Sequence, residues 1–246
     1  MDQRGLPKQQ WLRGPRVLAH SGHHTSRTPT IWTMRIRSLT ELNEFLNDEL
    51  AWRKRELTTL RFLIGRSRPH EQDVLLRSGT CTLYAHWEGF VKAAATGYVS
   101  YVTLRGLSYR DLSPNFVALG LRTRIVNAGT TRRPSQLTAI TAALMSDLAE
   151  TARIDWDTAI DTRANLNSDA FREILVSIGL EEARYSTKGA LIDQRLLRNR
   201  NVISHGGYLS IQLEDYNELH TEVVQMVEWF RNDVENAAVT AAYRRV

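Results

Sequence analysis

The stretch "KGALIDQRLLRNRNVISHGG", Lys188 to Gly207, decides how this chain folds. Leu191, Ile192, Arg195, Leu196, Asn199, Val202 and Ile203 recur at helical spacings, and the apolar members form a stripe that a core would cover. Two glycines follow, and glycine just beyond the last helical residue is the commonest stop signal. The stretch is expected to be one helix ending at Gly206. Its polar face is crowded, because Arg198, Asn199, Arg200, Asn201 and His205 all fall near the stop. Asn201 and His205 are four apart and share a face. Arg200, five residues before His205, lies about 140° around the helix but has a side chain long enough to reach the same patch.

Helical periodicity continues on both sides. After "YLSI", a final helix is expected from about Leu213 to the C-terminus, with Leu219, Val223, Met226, Val227, Phe230 and Val234 inward. Upstream, "SDAFREILVSIGL" predicts a short helix closed by Gly179. "PSQLTAITAALMSDLAE" predicts another, with proline tolerated at its start. Residues 105–135, punctuated by Gly106, Pro114, Gly120, Gly129 and Pro134, yield only short segments. A long helix is expected from about Glu71 to about Tyr101, burying Leu83, Trp87, Phe90, Val91 and Ala94. Before it, Ser38 and Glu41 form an S-x-x-E capping box. Leu39, Leu42, Leu46, Leu50, Leu57, Leu60 and Ile64 follow as one stripe, broken at Gly65 to Pro69. With no internal repeat and no strand pair, the fold class is an all-α bundle.

Composition narrows the function classes. A chain of 246 residues, 42% hydrophobic and 24% charged, suits one compact soluble domain or two small ones. No apolar run approaches the ~18–20 residues of a membrane span, and the N-terminus lacks the apolar core of a secretory signal. One cysteine, Cys81, excludes an internal disulfide framework and a multi-cysteine zinc site, and points to a reducing cytoplasm. Residues 1–33 carry Arg4, Lys8, Arg13, Arg16 and Arg27 against Asp2 alone, so +4 of the net +5 sits there. The remainder is near neutral, which excludes a broad nucleic-acid footprint and leaves only local contacts. Three of the six prolines also lie in residues 1–33, and no helical period does, so this part reads as a disordered tail or a non-native extension. Residues 34–246 form the folded domain. His20, His23 and His24 have no acidic or thiolate neighbour to make a strong metal site.

The cluster before Gly206 has two readings. A histidine in a last turn interacts favourably with the helix dipole and needs no function. Alternatively, an arginine for phosphate, an amide for orientation and a histidine titrating near neutrality suffice for metal-free phosphodiester chemistry. Two glycines would let a ligand backbone approach. Spacing does not decide, since Arg13–His20 and Arg16–His23 repeat the Arg198–His205 separation by accident.

The fuller string "LIDQRLLRNRNVISHGGYLSI" resembles the signature of HEPN-domain ribonucleases: arginine, a polar residue, a short apolar stretch, then histidine. Arg200-Asn201-Val202-Ile203-Ser204-His205 matches the four-residue-gap form, and Arg198 gives the six-residue form. "LLRSGTCTLYAHWEGFVKAAATGYVSY" is similar to the WEGF-containing helix of bacterial MAE-type HEPN-like nucleases. "NLNSDAFREILVSIGL" and "DYNELHTEVVQMVEWFRNDVENAA" follow in the same order, so the resemblance spans about Met34 to Ala238. It implies an all-α, HEPN-like helical bundle with extra helices, paired as a two-fold dimer through the motif helix, cutting RNA without metal or cofactor. Arg200 would bind the scissile phosphate and His205 would transfer the proton. Asn201 would orient either the histidine or the RNA. The ribose 2′-OH would be the nucleophile and a 2′,3′-cyclic phosphate the product. Arg195, Arg198 and Gly206 would add RNA contacts in the dimer cleft. Glu88 would pair with a motif arginine or stay solvated, and Tyr84 would pack or stack on RNA. Trp87 would be core, and Cys81 a small buried hydrophobe. The implied role is a toxin or phage-defence effector restrained by an antitoxin or other regulatory protein. The rival is a catalytically silent HEPN module that binds RNA, nucleotide or a partner protein.

Overall fold

The first helix starts where its cap predicts. In the computed structural model, which describes residues 35–162 and 165–245, the Ser38 hydroxyl accepts a hydrogen bond from the Glu41 N–H at 3.1 Å. The Glu41 carboxylate accepts from the N–H of Arg37, one residue before the cap, at 2.6 Å. The tail expected over residues 1–33, with His20, His23 and His24, lies outside the described residues. α1 (Leu39–Arg66) buries Leu42, Leu46, Leu57 and Ile64, while Leu39, Leu50 and Leu60 pack beside them. The stripe also holds Arg53, only 7% exposed, whose charge is met by Glu49.

α2 (Pro69–Thr103) is the central helix. Its N-terminal half buries one face, but every residue from 93 to 102 is buried, as befits a helix apolar all round. Gly79 and Gly97 make this possible. A Cβ on Gly79 would lie 2.8 Å from the Tyr216 ring, and one on Gly97 would lie 2.8 Å from the Phe45 ring. α8 (Leu213–Val239) completes a three-helix core with α1 and α2, and all six of its expected inward residues are buried. It stops before the C-terminus, where Ala241 turns left-handed (φ 53°) and the Ala242 N–H returns to the Ala237 carbonyl at 2.9 Å. Trp87, Phe171 and Phe230 tie α2, α6 (Ser168–Ile178) and α8 together, with ring centroids 4.9 and 5.8 Å apart.

Residues 105–135 are more helical than their glycines and prolines suggest. After a 3₁₀ turn at Tyr109–Asp111 come α3 (Pro114–Thr130) and α4 (Pro134–Asp147). Both prolines occupy the first helical turn, where a missing N–H costs nothing. Gly120 stays inside α3 because the Tyr109 ring fills the space a Cβ would need. α5 is the short Trp156–Ala159. α6 is capped by the Asn167 side chain, which accepts from the Ala170 N–H, and ends at left-handed Gly179.

The stretch expected to be one α-helix departs most. A 3₁₀ segment (Ala183–Lys188) leads into it, and the stretch itself is helical throughout but opens as a π-helix (Leu191–Leu197) before α7 (Arg198–Ser204). The wider π turn keeps Ile192 and Leu196 in the core while Asp193 reaches the start of α6. There its carboxylate accepts from the Ser168 N–H and hydroxyl at 2.7 and 2.6 Å. Among the described residues there is no β-strand, and no helix is long and apolar enough to cross a membrane.

Candidate active site

α7 ends in a Schellman motif. The Gly206 N–H bonds to the Ile203 carbonyl at 3.0 Å and the Gly207 N–H to the Val202 carbonyl at 2.8 Å, with Gly206 left-handed at φ 81°. The two glycines serve different needs. Gly206 has open space where a side chain would go, whereas a Cβ on Gly207 would strike Val202 at 2.8 Å. His205 is the C-cap residue and is exposed; its N–H bonds to the Asn201 carbonyl, and its imidazole bonds to no described residue. Just beyond, Tyr208 lies against α2, with the Arg77 guanidinium 5.1 Å from its ring centroid.

Arg200 turns inward. Its guanidinium carbon sits 4.6 Å from the centroid of the Tyr84 ring on α2. Its Nη1 donates to the side-chain oxygens of Asn201 at 2.8 Å and Asn165 at 3.0 Å. It forms no ion pair with a described residue, unlike Arg53, Arg77, Arg172, Arg184 and Arg231, each matched by a carboxylate. Tyr84 is buried, which pushes its phenol up to about 12, so it meets Arg200 as a neutral ring and not as a phenolate. The Tyr84 hydroxyl accepts from the Leu166 N–H at 2.8 Å, fixing the turn that carries Asn165. Asp193 holds the next residues of that turn through Ser168. The position of Arg200 is thus set by α2, by the turn before α6 and by the π-helix together. What this arrangement provides is a half-buried guanidinium without an ion-pair partner among the described residues, its Nη1 alone hydrogen-bonded to them, one turn before an open helix end.

The other expected residues separate. Arg195 does not join Arg200. Its two terminal nitrogens are taken by Glu218 (2.9 and 3.3 Å) and the Asp215 carbonyl (3.1 Å) on α8. Arg198 is exposed, with its guanidinium free of described partners. Glu88 forms no ion pair with Arg195, Arg198 or Arg200; it stands beside Tyr84, whose phenol it helps to raise. Trp87 is fully buried, as expected. Cys81 departs from expectation. It is partly exposed, and Arg200, far away in sequence, is near enough to offset some of the rise that burial imposes on its thiol. Among the described residues, no three histidine, cysteine, aspartate or glutamate side chains converge as a metal site.

Asn165 is the residue that sequence reading missed. It lies in "NLNSDAF", just before the helix that Asn167 caps. Nothing in local spacing connects it to an arginine 35 positions away.

Comparison with known proteins places this geometry in a family. The family model of MAE_28990-like HEPN domains matches residues 42–243, which include the α2 face, the Asn165 turn and all of α7. No curated protein and no solved structure matches the chain. The match extends over most of the helical domain, and the chain belongs to the HEPN-domain family.

Proposed function

We propose that this HEPN protein is a metal-independent endoribonuclease whose phosphate-binding residue is Arg200. One observation carries the reading: Arg200 is held by amides and a neutral ring, and no carboxylate of the described residues pairs with it directly, Glu88 standing beyond the Tyr84 ring. A guanidinium in that state suits a phosphate, which supplies both the missing charge and acceptors for the free donors. In the proposed reaction the ribose 2′-oxygen attacks phosphorus and the bond to the 5′-oxygen breaks. A 2′,3′-cyclic phosphate and a 5′-hydroxyl result. Arg200 offsets the charge building on the phosphoryl oxygens. His205, exposed and unbonded, moves the proton between the 2′-hydroxyl and the 5′-oxygen. Asn201 holds Arg200 while its carbonyl anchors the His205 backbone.

Two copies pair through α7 in this proposal. Within one copy Arg200 faces α2 while His205 faces outward, and a two-fold cleft would set each imidazole against the opposite motif. Arg198, exposed and without a partner among the described residues, would line it. The corresponding cellular role is a toxin or defence effector restrained by a regulatory protein. Toxicity on expression that disappears with Arg200→Ala would support it.

The absence of a hydrogen bond between Arg200 and the His205 imidazole, both described, also favours a second reading, a silent module that binds RNA without cutting it. One experiment distinguishes the two. Purified protein is incubated with varied single-stranded RNAs in EDTA, beside His205→Ala. Cleavage to cyclic-phosphate ends, lost in His205→Ala at unchanged helicity, supports the nuclease. Binding without cleavage identifies the silent module, and equal cutting by His205→Ala removes His205 from the mechanism. An active, strictly monomeric enzyme refutes the pairing.

A further inference from the structure

We infer that the groove between α1 and α2, beside Arg200, is a nucleobase subsite that holds the base next to the phosphate bound there. This inference rests on the reading of Arg200 as a phosphate site.

The groove is shallow and open to solvent, spans about 420 Å³ and is lined by Trp52, Arg53, Glu56, Cys81, Ala85 and His86. That volume falls within the range of small-molecule sites, roughly 300–1,000 Å³. Trp52 is 37% exposed, although its ring is already fixed from two sides. The Arg53 guanidinium lies 4.3 Å from its ring centroid, and His86 meets it edge-on at 5.1 Å and 65°. An indole held rigidly and still open is a stacking platform, because little side-chain freedom remains to be lost on binding.

Charge decides which part of a nucleotide the groove takes. Arg53 is matched by Glu49, and the His86 imidazole is held by the Glu56 carboxylate at 3.1 Å. Both cations of the groove wall are therefore matched, and a phosphate would meet the exposed Glu56 carboxylate. A flat, uncharged base suits it better, with Glu56, 57% exposed, at the rim to accept from amino or imino groups. The unmatched cation lies next door. Cys81, in the groove wall, and Tyr84, under Arg200, are three residues apart on α2 and so are neighbours along the helix surface. Phosphate on Arg200 and base on Trp52 thus lie on adjoining faces of one helix.

The test uses the full chain and a 2′-O-methyl RNA octamer, which lacks the nucleophile and stays intact. A single abasic position is moved along the octamer, and affinity is read by fluorescence anisotropy for the wild type and for Trp52→Ala, Trp52→Tyr and Arg200→Ala. Alkylation of Cys81, the chain's single cysteine, is followed in parallel by mass spectrometry. Trp52→Ala is expected to weaken binding roughly tenfold, and Trp52→Tyr to restore most of it. One abasic position is expected to cost the wild type a similar factor and Trp52→Ala almost nothing. Bound RNA is expected to slow Cys81 alkylation several-fold. Equal abasic penalties in the wild type and Trp52→Ala, or an unprotected Cys81 in the RNA complex, overturn the subsite. If those arms fail while Arg200→Ala still abolishes binding, the phosphate reading stands alone. If Arg200→Ala binds as the wild type does, the phosphate reading falls. If the octamer does not bind, both are wrong.

Discussion

Asn165→Ala tests the clamp on Arg200 without presupposing any activity. Arg200 Nη1 divides between Asn165 and Asn201 at 3.0 and 2.8 Å in a half-buried setting. A hydrogen bond to a charged group contributes about 1.5–3 kcal/mol, and the partly exposed setting of Arg200 argues for the lower end, ~1.5 kcal/mol. In an Arg200→Ala background the Asn165 oxygen has already lost this donor, so the same truncation should cost no more than ~0.5 kcal/mol. The expected coupling is then about 1 kcal/mol, above the ~0.3–0.5 kcal/mol within which independent sites add. Urea unfolding of the four proteins, followed by circular dichroism, resolves this. With a slope of ~1–3 kcal/mol per molar, Asn165→Ala should lower the wild-type midpoint by roughly 0.5–1.5 M. Equal losses in both backgrounds would refute the clamp. Asn165→Asp adds a second criterion. A carboxylate beside Arg200 should leave stability intact or raise it, yet impair RNA cleavage by cancelling the charge meant for phosphate. A variant that is both stable and fully active would contradict the proposed role of Arg200.

Further expectations concern the helix end, the core and the buried histidines. Gly206→Ala should destabilise by ~1–2 kcal/mol from its left-handed backbone alone, because no atom lies within 4 Å of the added carbon. Gly207→Ala should also destabilise, through collision with Val202; urea midpoints that match the wild type would dismiss the Schellman account. Trp87→Ala, at a fully buried position against Phe171, should cost about 3–5 kcal/mol, and a smaller loss would mean that the core closes over the cavity. His220 is buried beside Arg61, and both effects hold its pKa below the ordinary histidine value. His86 is likewise lowered by burial, with Glu56 opposing and Arg53 assisting. Since the unfolded chain takes up these protons first, stability should be complete above about pH 6.5 and decline as the pH falls below it. His220→Leu should flatten that decline in urea midpoints measured from pH 7.5 to 5.5; an unchanged slope would rule His220 out as a source.

The helices were legible wherever their causes are local. The Ser38 cap, the α8 stripe and the Gly179 and Gly206 stops depend on residues within a few positions, and each appears where its pattern predicts. Residues 105–135 were not legible, because a glycine or proline marks a break only if nothing else explains it. Tyr109 explains Gly120, and the first-turn position explains Pro114 and Pro134. Arg53 was hidden for a related reason, since an arginine on an apolar stripe is readable only once Glu49 and Trp52 are seen to hold it.

For the candidate site, the sequence by itself determined the parts: an arginine, an asparagine and a histidine before a double glycine, on a helix whose order among its neighbours resembles one family. The resemblance had already singled out Arg200; what only tertiary structure decided is what surrounds each arginine. Arg195 and Arg200 are the same residue type, but Glu218 of α8 takes up the first, while Tyr84 of α2 and Asn165 meet the second. The physical reason is range. Periodicity and caps are short-range and repeat along the chain, whereas the charge state of a guanidinium's surroundings depends on groups brought from α2, α6 and α8, which no spacing within α7 encodes.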